Sequence, residues 1–250
     1  MRQLYYVIRT LLRGRGSNLI KIISLGLGLT MSILLFARVA FEQSFDKCYK
    51  DYDNLYQVFS IFTVNGEKSE PQDMNYGPVA GAILDNFPEE VEAATSICKW
   101  AASLPLYNGS VRFDDNKIMA DSLFFQTMGI EVLSGNPRDL MQKDVIFLSD
   151  RLATKIFGGE NPVGKVLRYN KSMEMTVKGT YAALPENTTL RPEAVISMPS
   201  MWSRDIGNYS WNGGDSYFEY IRFRPGADKE AVFARLDGMI QKYLPKEGEG

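Results

Sequence analysis

The sequence predicts an α+β protein that begins with a single N-terminal transmembrane helix and continues as a mixed α/β extracytoplasmic domain. Three observations predict this class. The sixteen residues 22–37 carry no charge, and the chain after them alternates short strand-like and helix-like segments. The charges divide at the same place, because residues 1–41 contain six basic residues and no acid, whereas residues 42–250 have a net charge of −8. Such an asymmetry indicates two different environments.

The overall composition excludes several classes of protein. At 45% hydrophobic and 23% charged residues, the chain has the composition of a folded protein. The absence of histidine excludes a Ser-His-Asp triad, a Cys-His dyad and any histidine-ligated metal. The net charge of −2 argues against binding of nucleic acid. Two cysteines, Cys48 and Cys98, are too few for a disulfide scaffold or a four-cysteine zinc site, and the sequence leaves open whether they pair. We therefore expect no catalytic residue, no cofactor and no metal.

The transmembrane helix is predicted over residues 19–41. The uncharged stretch is flanked by Lys21 and Arg38, whose long side chains can reach the lipid headgroups and so extend the usable span. A helix needs about 20 such residues to cross the hydrocarbon. Because the charges on its N-terminal side are all basic, the positive-inside rule places the N-terminus in the cytoplasm. Residues 42–250 are then expected outside the inner (cytoplasmic) membrane.

A cleaved signal peptide is the alternative interpretation of this segment. Cleavage needs small residues at positions −3 and −1, and a cut after Ala40 puts Arg38 at −3, which favours an uncleaved anchor. Within the span, small residues recur every four positions in a row that suits close packing against partner helices. The row consists of Ser24, Gly28 and Ser32.

Residues 1–18 are predicted to form an amphipathic helix at the cytoplasmic surface of the membrane. Apolar residues recur at helical spacing on one face, which would contact membrane lipid, while arginines on the opposite face would bind anionic headgroups. These arginines are Arg2, Arg9 and Arg13. The alternative is a basic flank that only fixes the topology.

Residues 42–55 are predicted to continue the membrane helix as a rigid stalk. The segment contains neither glycine nor proline. Apolar residues recur at i, i+4, i+7 and i+11, which places them on one helical face that could pack against a second stalk outside this chain. That face consists of Phe41, Phe45, Cys48 and Tyr52.

The rest of the chain is predicted to mix strands and helices. Helices are expected over 78–86, 123–128, 149–157 and 228–244, the third with Ser149 or Asp150 as its N-cap. Strands are expected over 56–64, 92–100, 103–107, 145–148, 165–169, 173–180, 195–198 and 217–224. Residues 111–120 have the pattern of a hairpin with the Asp-Asp-Asn run 114–116 at its tip.

One string imitates a nucleotide-binding loop. Residues 159–165 match the first part of a P-loop, but Val166 follows where Mg²⁺ coordination needs the hydroxyl of serine or threonine. The string also follows a predicted helix, whereas a P-loop follows a buried strand. We therefore interpret it as a structural turn.

Several short motifs, taken in order, resemble those of MacB/FtsX-type ABC transporter permeases. The juxtamembrane segment 45–58 comes first, followed by a Gly-Pro…Phe-Pro segment at 77–88 and an Asp-x-x-Phe-Phe…Ser-Gly segment at 121–135. Residues 149–165 then resemble the family's V-L-S…F-G…N-P-I-G-K element, and residues 220–227 resemble a stretch near the end of its outer domain. The order and spacing of these motifs extend over most of the chain.

The resemblance implies two subdomains on the outer side of the membrane. One, called Porter in this family, would comprise residues 56–105 and 195–246, and the other, called Sabre, would be inserted as residues 106–194. It also implies two partners: a cytoplasmic ABC-type ATPase subunit, whose cycle moves the outer domain through the membrane helices, and a second permease copy in a dimer. Such a permease carries no catalytic residues of its own.

The function that the resemblance implies is that of a permease component. The chain would form the first membrane span and extracytoplasmic core, and would transmit ATPase-driven motion for export, efflux or lipoprotein release. Members of the family continue into a second stalk and further membrane helices, so we expect a 250-residue chain to be incomplete. The alternative is a single-span, membrane-anchored extracytoplasmic binding or sensor domain that acts as it stands.

Overall fold

The computed structural model describes residues 5–6, 9, 17–61, 63–64, 67–204, 209–212 and 216–244. The chain divides into two compact units, residues 1–46 and residues 47–250. Two arginines of the predicted cytoplasmic surface helix, Arg2 and Arg13, lie outside the described residues. The third, Arg9, is helical and exposed, so the predicted contact with lipid stays a prediction.

The first unit contains one long helix, α1 (Ser17–Gln43), of 27 residues. At 1.5 Å per residue such a helix is about 40 Å long, which is enough to cross a hydrocarbon layer of about 30 Å. The most apolar 18-residue stretch within Ile20–Gln43 has a mean hydropathy of 2.0 and is 0% buried. Both length and composition therefore confirm a helix that could span a membrane, and the predicted span 19–41 falls inside it.

The predicted helical stalk over 42–55 is wrong, because α1 ends at Gln43. The Ser44 hydroxyl donates to the Phe41 carbonyl at 2.6 Å, which satisfies one of the carbonyls left open at a helix end. Asp46 then adopts a left-handed conformation with φ of 59°, which a continuing α-helix cannot accommodate.

The four residues predicted to form the stalk face therefore do not lie on one helix. The rings of Phe41 and Phe45 still meet edge to face at 5.3 Å between centroids. Cys48 and Tyr52 do not continue that face, since the chain passes through turns and a short 3-10 segment, Tyr52–Asn54, before the first strand.

The second unit is built on one large sheet. The described residues of this unit form thirteen strands: β1 (Leu55–Val58), β2 (Thr63–Val64), β3 (Glu67–Lys68), β4 (Val91–Cys98), β5 (Leu106–Asn108), β6 (Val111–Phe113), β7 (Lys117–Ala120), β8 (Val132–Ser134), β9 (Val145–Ser149), β10 (Val166–Tyr169), β11 (Met173–Tyr181), β12 (Ala194–Ser197) and β13 (Tyr217–Phe223). Eleven of them form the sheet in the order β1-β13-β4-β7-β12-β9-β11-β10-β5-β6, with β8 paired to β11. Strands β2 and β3 form a separate small hairpin.

Five helices accompany the sheet. They are α2 (Val79–Asn86), α3 (Phe124–Met128), α4 (Asp150–Phe157), α5 (Pro199–Trp202) and α6 (Lys229–Ile240). Ser149 is the N-cap of α4, since its hydroxyl accepts the N–H of Leu152. Most strand pairs are antiparallel, but β7–β12 and β9–β11 are parallel. The mixed α/β architecture predicted for the outer domain is confirmed.

Some of the predicted strands are confirmed, and others are wrong. The pair 165–169 and 173–180 is confirmed by β10 and β11, whose register sets Val166 opposite Thr176. The predicted hairpin 111–120 is wrong, because β6 pairs with β5 while β7 pairs with β4 and β12. The tight turn lies at Gly109–Ser110 instead, between β5 and β6, and Gly109 has a φ of 59°. The strand expected over 56–64 is interrupted after Val58.

Three apolar clusters fill the second unit. One lies between α2, α6 and strands β1, β4 and β13, and includes Ile83 and Phe223, both 0% exposed. The other two are built mainly on the central strands β7, β9, β11 and β12. The sheet is continuous across the boundaries predicted for Porter and Sabre, and β12 lies between β7 and β9. The division into those subdomains stays a prediction.

Candidate functional site: a membrane helix and a buried polar core

The small-residue row of α1 faces open space. The Ser32 hydroxyl donates to the Gly28 carbonyl at 2.8 Å, and a Cβ added at Gly28 would meet nothing within 4 Å. Hydroxyls that bond within their own helix need no partner in hydrocarbon. The row Ser24, Gly28 and Ser32 therefore offers a flat, uncharged surface, and its role in packing against another helix stays a prediction.

The segment between α1 and β1 attaches to the sheet domain through a residue that the sequence did not indicate. Tyr49 is only 4% exposed. Its hydroxyl donates to the Leu190 carbonyl at 2.9 Å and lies 2.9 Å from Thr188 Oγ1. The periodicity that selected Cys48 and Tyr52 passed over their buried neighbour, because no local signal identifies partners that are about 140 residues away.

The polar core holds a glutamate without a cation. Glu219 of β13 is 0% exposed and lies opposite Ser96 of β4. The Ser96 hydroxyl contacts both the Gly77 carbonyl, at 2.9 Å, and Glu219 Oε2, at 2.8 Å. The Ser96 hydroxyl is the donor in both contacts, so its single hydrogen is shared between two acceptors.

Burial favours the neutral form of Glu219. Removal from water raises the pKa of Glu219 well above its ordinary value, although the hydrogen bond with Ser96 partly opposes this. Burial also raises the pKa of Asp121, against the hydrogen bonds that its carboxylate accepts from the Ser96 N–H and the Leu123 N–H. Two carboxyl groups thus meet at Ser96, and burial raises the pKa of both.

A second buried glutamate has the opposite environment. Glu193 is 8% exposed, accepts from the Ser149 hydroxyl at 2.5 Å and forms an ion pair with Arg151. Arg151 Nη2 also donates to the Leu184 carbonyl at 3.3 Å, which attaches the loop before β12 to the start of α4. Arg151 therefore balances the charge of Glu193, whereas burial favours the neutral form of Glu219.

Neither cluster resembles a catalytic site. Ser96 and Lys99 have the spacing of a serine-lysine nucleophile pair. The Lys99 ammonium, however, lies 3.6 Å from the centroid of the Phe218 ring, and no hydrogen bond links it to Ser96 among the described residues. In that same part of the chain, no group of three His, Cys, Asp or Glu side chains could hold a metal ion. Cys48 is exposed and Cys98 is buried, and they do not form a disulfide with each other.

The P-loop-like string is a turn, as the sequence predicts. Gly164 has a φ of 87°, and its N–H donates to the Val177 carbonyl at 2.8 Å. Lys165 forms an ion pair with Glu160 on the same turn. The lysine is thus engaged within the turn, and the backbone geometry differs from a helix N-terminus that follows a strand.

A long apolar helix that could span a membrane, followed by a large mixed sheet, defines the class of the protein. Residues 19–239 match the MacB-like periplasmic core domain. The chain belongs to this family, whose members are components of transporter permeases rather than classical enzymes. No characterised, curated protein matches it at a significant level.

Solved structures share the fold. A domain described as part of a permease protein from Porphyromonas gingivalis is 23% identical, with a TM-score of 0.66 over 80% of this chain and 85% of that one. The periplasmic region of MacB from Actinobacillus actinomycetemcomitans is 16% identical, with a TM-score of 0.56 over 76% and 83%. The extracellular domain of the ABC-type transporter YknZ from Gram-positive bacteria is 12% identical, with a TM-score of 0.55 over 76% and 94%.

Proposed function

We propose that the chain supplies the first membrane span and the extracytoplasmic core of an ABC transporter permease, and that it transmits motion driven by a cytoplasmic ATPase subunit. The observation that carries this proposal is a single family match that includes both α1 and the sheet domain. The motion would serve export, efflux or lipoprotein release. MacB-family permeases work with ABC ATPase partners, which supports a partner of this kind.

The membrane helix supports the same proposal. The most apolar stretch of α1 is 0% buried, so α1 needs lipid or other helices around it. We assign the row of Ser24, Gly28 and Ser32 to contact with partner helices, including those of a second permease copy. From the basic residues before α1 we infer that the N-terminus lies in the cytoplasm, with Arg2, Arg9 and Arg13 on anionic headgroups.

The topology predicts a specific pattern of cysteine labelling. In intact spheroplasts, a membrane-impermeant maleimide should label Cys48, because this exposed residue follows α1 on the outer side. Cys98 should react only after denaturation, since it is buried and burial raises the pKa of its thiol. The Cys48→Ser variant is the control and should show no labelling before denaturation. Labelling of Cys48 that requires lysis of the spheroplasts would contradict the orientation.

Co-purification tests the ATPase partner. The tagged full chain is isolated from native membranes in mild detergent, and the bound proteins are identified by mass spectrometry. The control carries an unrelated membrane anchor in place of residues 1–46. We expect an ABC ATPase to co-purify with the native chain and not with the control. Its absence from both samples would contradict the proposal.

One observation favours the alternative of a self-contained, single-span binding or sensor domain. The segment after α1 contacts its own domain through Tyr49 rather than presenting a helical stalk face. A chain of this kind would function without an ATPase, so the same co-purification distinguishes the two functions.

A further inference from the structure

Residues 47–55 are held on one side by a tyrosine hydroxyl in a buried position. A phenol has one hydrogen, and Tyr49 gives it to the Leu190 carbonyl, which can only accept. The Thr188 hydroxyl lies 2.9 Å from the Tyr49 hydroxyl, to which it can donate, and also donates to the Leu190 carbonyl at 3.5 Å. Both bonds of the Tyr49 hydroxyl are 2.9 Å long and shielded from water, so removing that hydroxyl weakens the contact between the two segments.

The same segment is held on its other side by an arginine of β13. Arg222 is 4% exposed, and its guanidinium donates to the Asp51 carbonyl at 3.3 Å and to the Thr127 carbonyl at 2.7 Å. Gly129, with a φ of 66°, leaves room for the chain here, because an added Cβ would lie 2.9 Å from the Cβ of Lys50. The segment is therefore seated in the domain at two separate points.

The loop that receives Tyr49 connects directly to the centre of the sheet. Residues 182–193 contain no helix or strand, yet Leu184 and Leu190 are 6% and 4% exposed. The loop is attached at its far end, where the Tyr181 hydroxyl donates to the Pro192 carbonyl at 2.8 Å. Glu193 then joins it to Ser149 and so to the junction of β9 and α4.

We propose that Tyr49 is a latch, which couples the chain leaving the membrane helix to loop 182–193 and through it to β9 and α4. The latch is closed in this structure. Since it is centred on one tyrosine side chain outside the strands of the sheet, it can open locally while the sheet stays folded. Its role in transport rests on the proposed function, whereas the coupling of the two segments is a property of the domain itself.

Hydrogen exchange of the full chain in lipid nanodiscs tests the latch. Tyr49→Phe keeps the buried ring and removes only the hydroxyl. We expect about tenfold faster exchange in residues 47–51 and also in residues 184–192, because each segment loses the partner that closes it. Exchange in β4 and β13 should not change, which also shows that the variant folds.

Two further variants sharpen the test. Tyr52→Phe, at an exposed tyrosine on the same segment, is the matched control and should leave both segments unchanged. Thr188→Val in the Tyr49→Phe background should add less than it does alone, because both changes open one latch. Faster exchange confined to residues 47–51, or spread equally over the whole sheet, would overturn the proposal. Neither outcome depends on co-purification of an ATPase.

Discussion

Helix α1 and the sheet domain use glycine in opposite ways. A Cβ added at Gly26 or Gly28 of the helix would meet no atom within 4 Å. In the sheet domain, a Cβ at Gly135 would lie 2.1 Å from the Lys178 carbonyl oxygen, and one at Gly179 would lie 2.3 Å from both the Phe147 ring and the Ser134 carbonyl oxygen. These two glycines allow β8 to approach β11 at the irregular end of their pairing.

The difference shows that the two regions obey different constraints. The helix satisfies its own backbone hydrogen bonds and needs only an apolar surface of sufficient length, so many sequences would serve. The domain is close-packed, so shape matters at individual positions. Amino-acid composition is therefore enough to predict the helix, whereas the stability of the domain depends on close contacts at individual positions.

The largest effect is expected from Gly135→Ala. The added methyl would overlap the Lys178 carbonyl, and the residue has a φ of 87°, so we expect destabilisation by about 3 kcal/mol or more. Urea unfolding of the detergent-solubilised chain, followed by tryptophan fluorescence, reports on the domain alone, because all three tryptophans lie there.

Gly164→Ala is the matched control for this variant. Gly164 has the same φ of 87°, but an added Cβ meets nothing within 4 Å. Gly164→Ala should lower the free energy of unfolding by only about 1 kcal/mol, which is the cost of an alanine in the left-handed conformation. Equal destabilisation by the two variants would mean that close approach of β8 and β11 is not what requires glycine.

An intermediate effect, dependent on pH, is expected at Glu219. Because burial raises its pKa, the folded protein retains a proton that the unfolded chain loses above about its ordinary value of 4.5. The free energy of unfolding should therefore fall as the pH rises from there towards the raised pKa of the folded state. Glu219→Gln, which is neutral at every pH, should remove this part of the decline and be more stable than the wild type at pH 8.

Unfolding measured between pH 5 and pH 8 tests this expectation. The exposed Glu89→Gln variant is the control and should follow the pH dependence of the wild type. The advantage of Glu219→Gln should grow with pH. An advantage that is constant or shrinks with rising pH would indicate that the buried carboxyl is ionised.

The smallest effect on stability is expected in the membrane helix. Gly28→Ala should change unfolding of the domain by less than about 0.5 kcal/mol, because the added methyl contacts nothing in this chain. It should nevertheless weaken co-purification of other membrane subunits, since close helix packing depends on small residues. Gly26→Ala, which lies on another face of the helix, is the control. Equal losses of co-purification from both variants would contradict a specific packing face.

Local patterns predicted elements well and long-range contacts poorly. The β10–β11 pair could be identified because its strands alternate and are joined by a short turn. The position of β7 could not, because all four of its residues are buried, which indicates a central strand without naming its parallel partner β12 about 75 residues later.

The candidate sites illustrate the same limit. Glu219 stands in a run of mostly apolar residues, and a charged residue is usually found at the surface, but all seven residues of β13 are buried. The stalk was predicted from helical spacing, yet Asp46 takes a left-handed conformation and Tyr49 bonds to residues 188 and 190. Both outcomes depend on partners that no local pattern contains.

The position of β13 in the sheet has a consequence for synthesis. Both β1 and β4 pair with β13, although more than 110 residues separate the end of β4 from its start. During translation, α1 emerges early, while β1 and the facing edge of β4 remain without their common neighbour until residues 217–223 have left the ribosome. Open strand edges of this kind attract other chains. We therefore expect the nascent outer domain to depend on chaperones for most of its synthesis, and to be released from them only when β13 closes the gap.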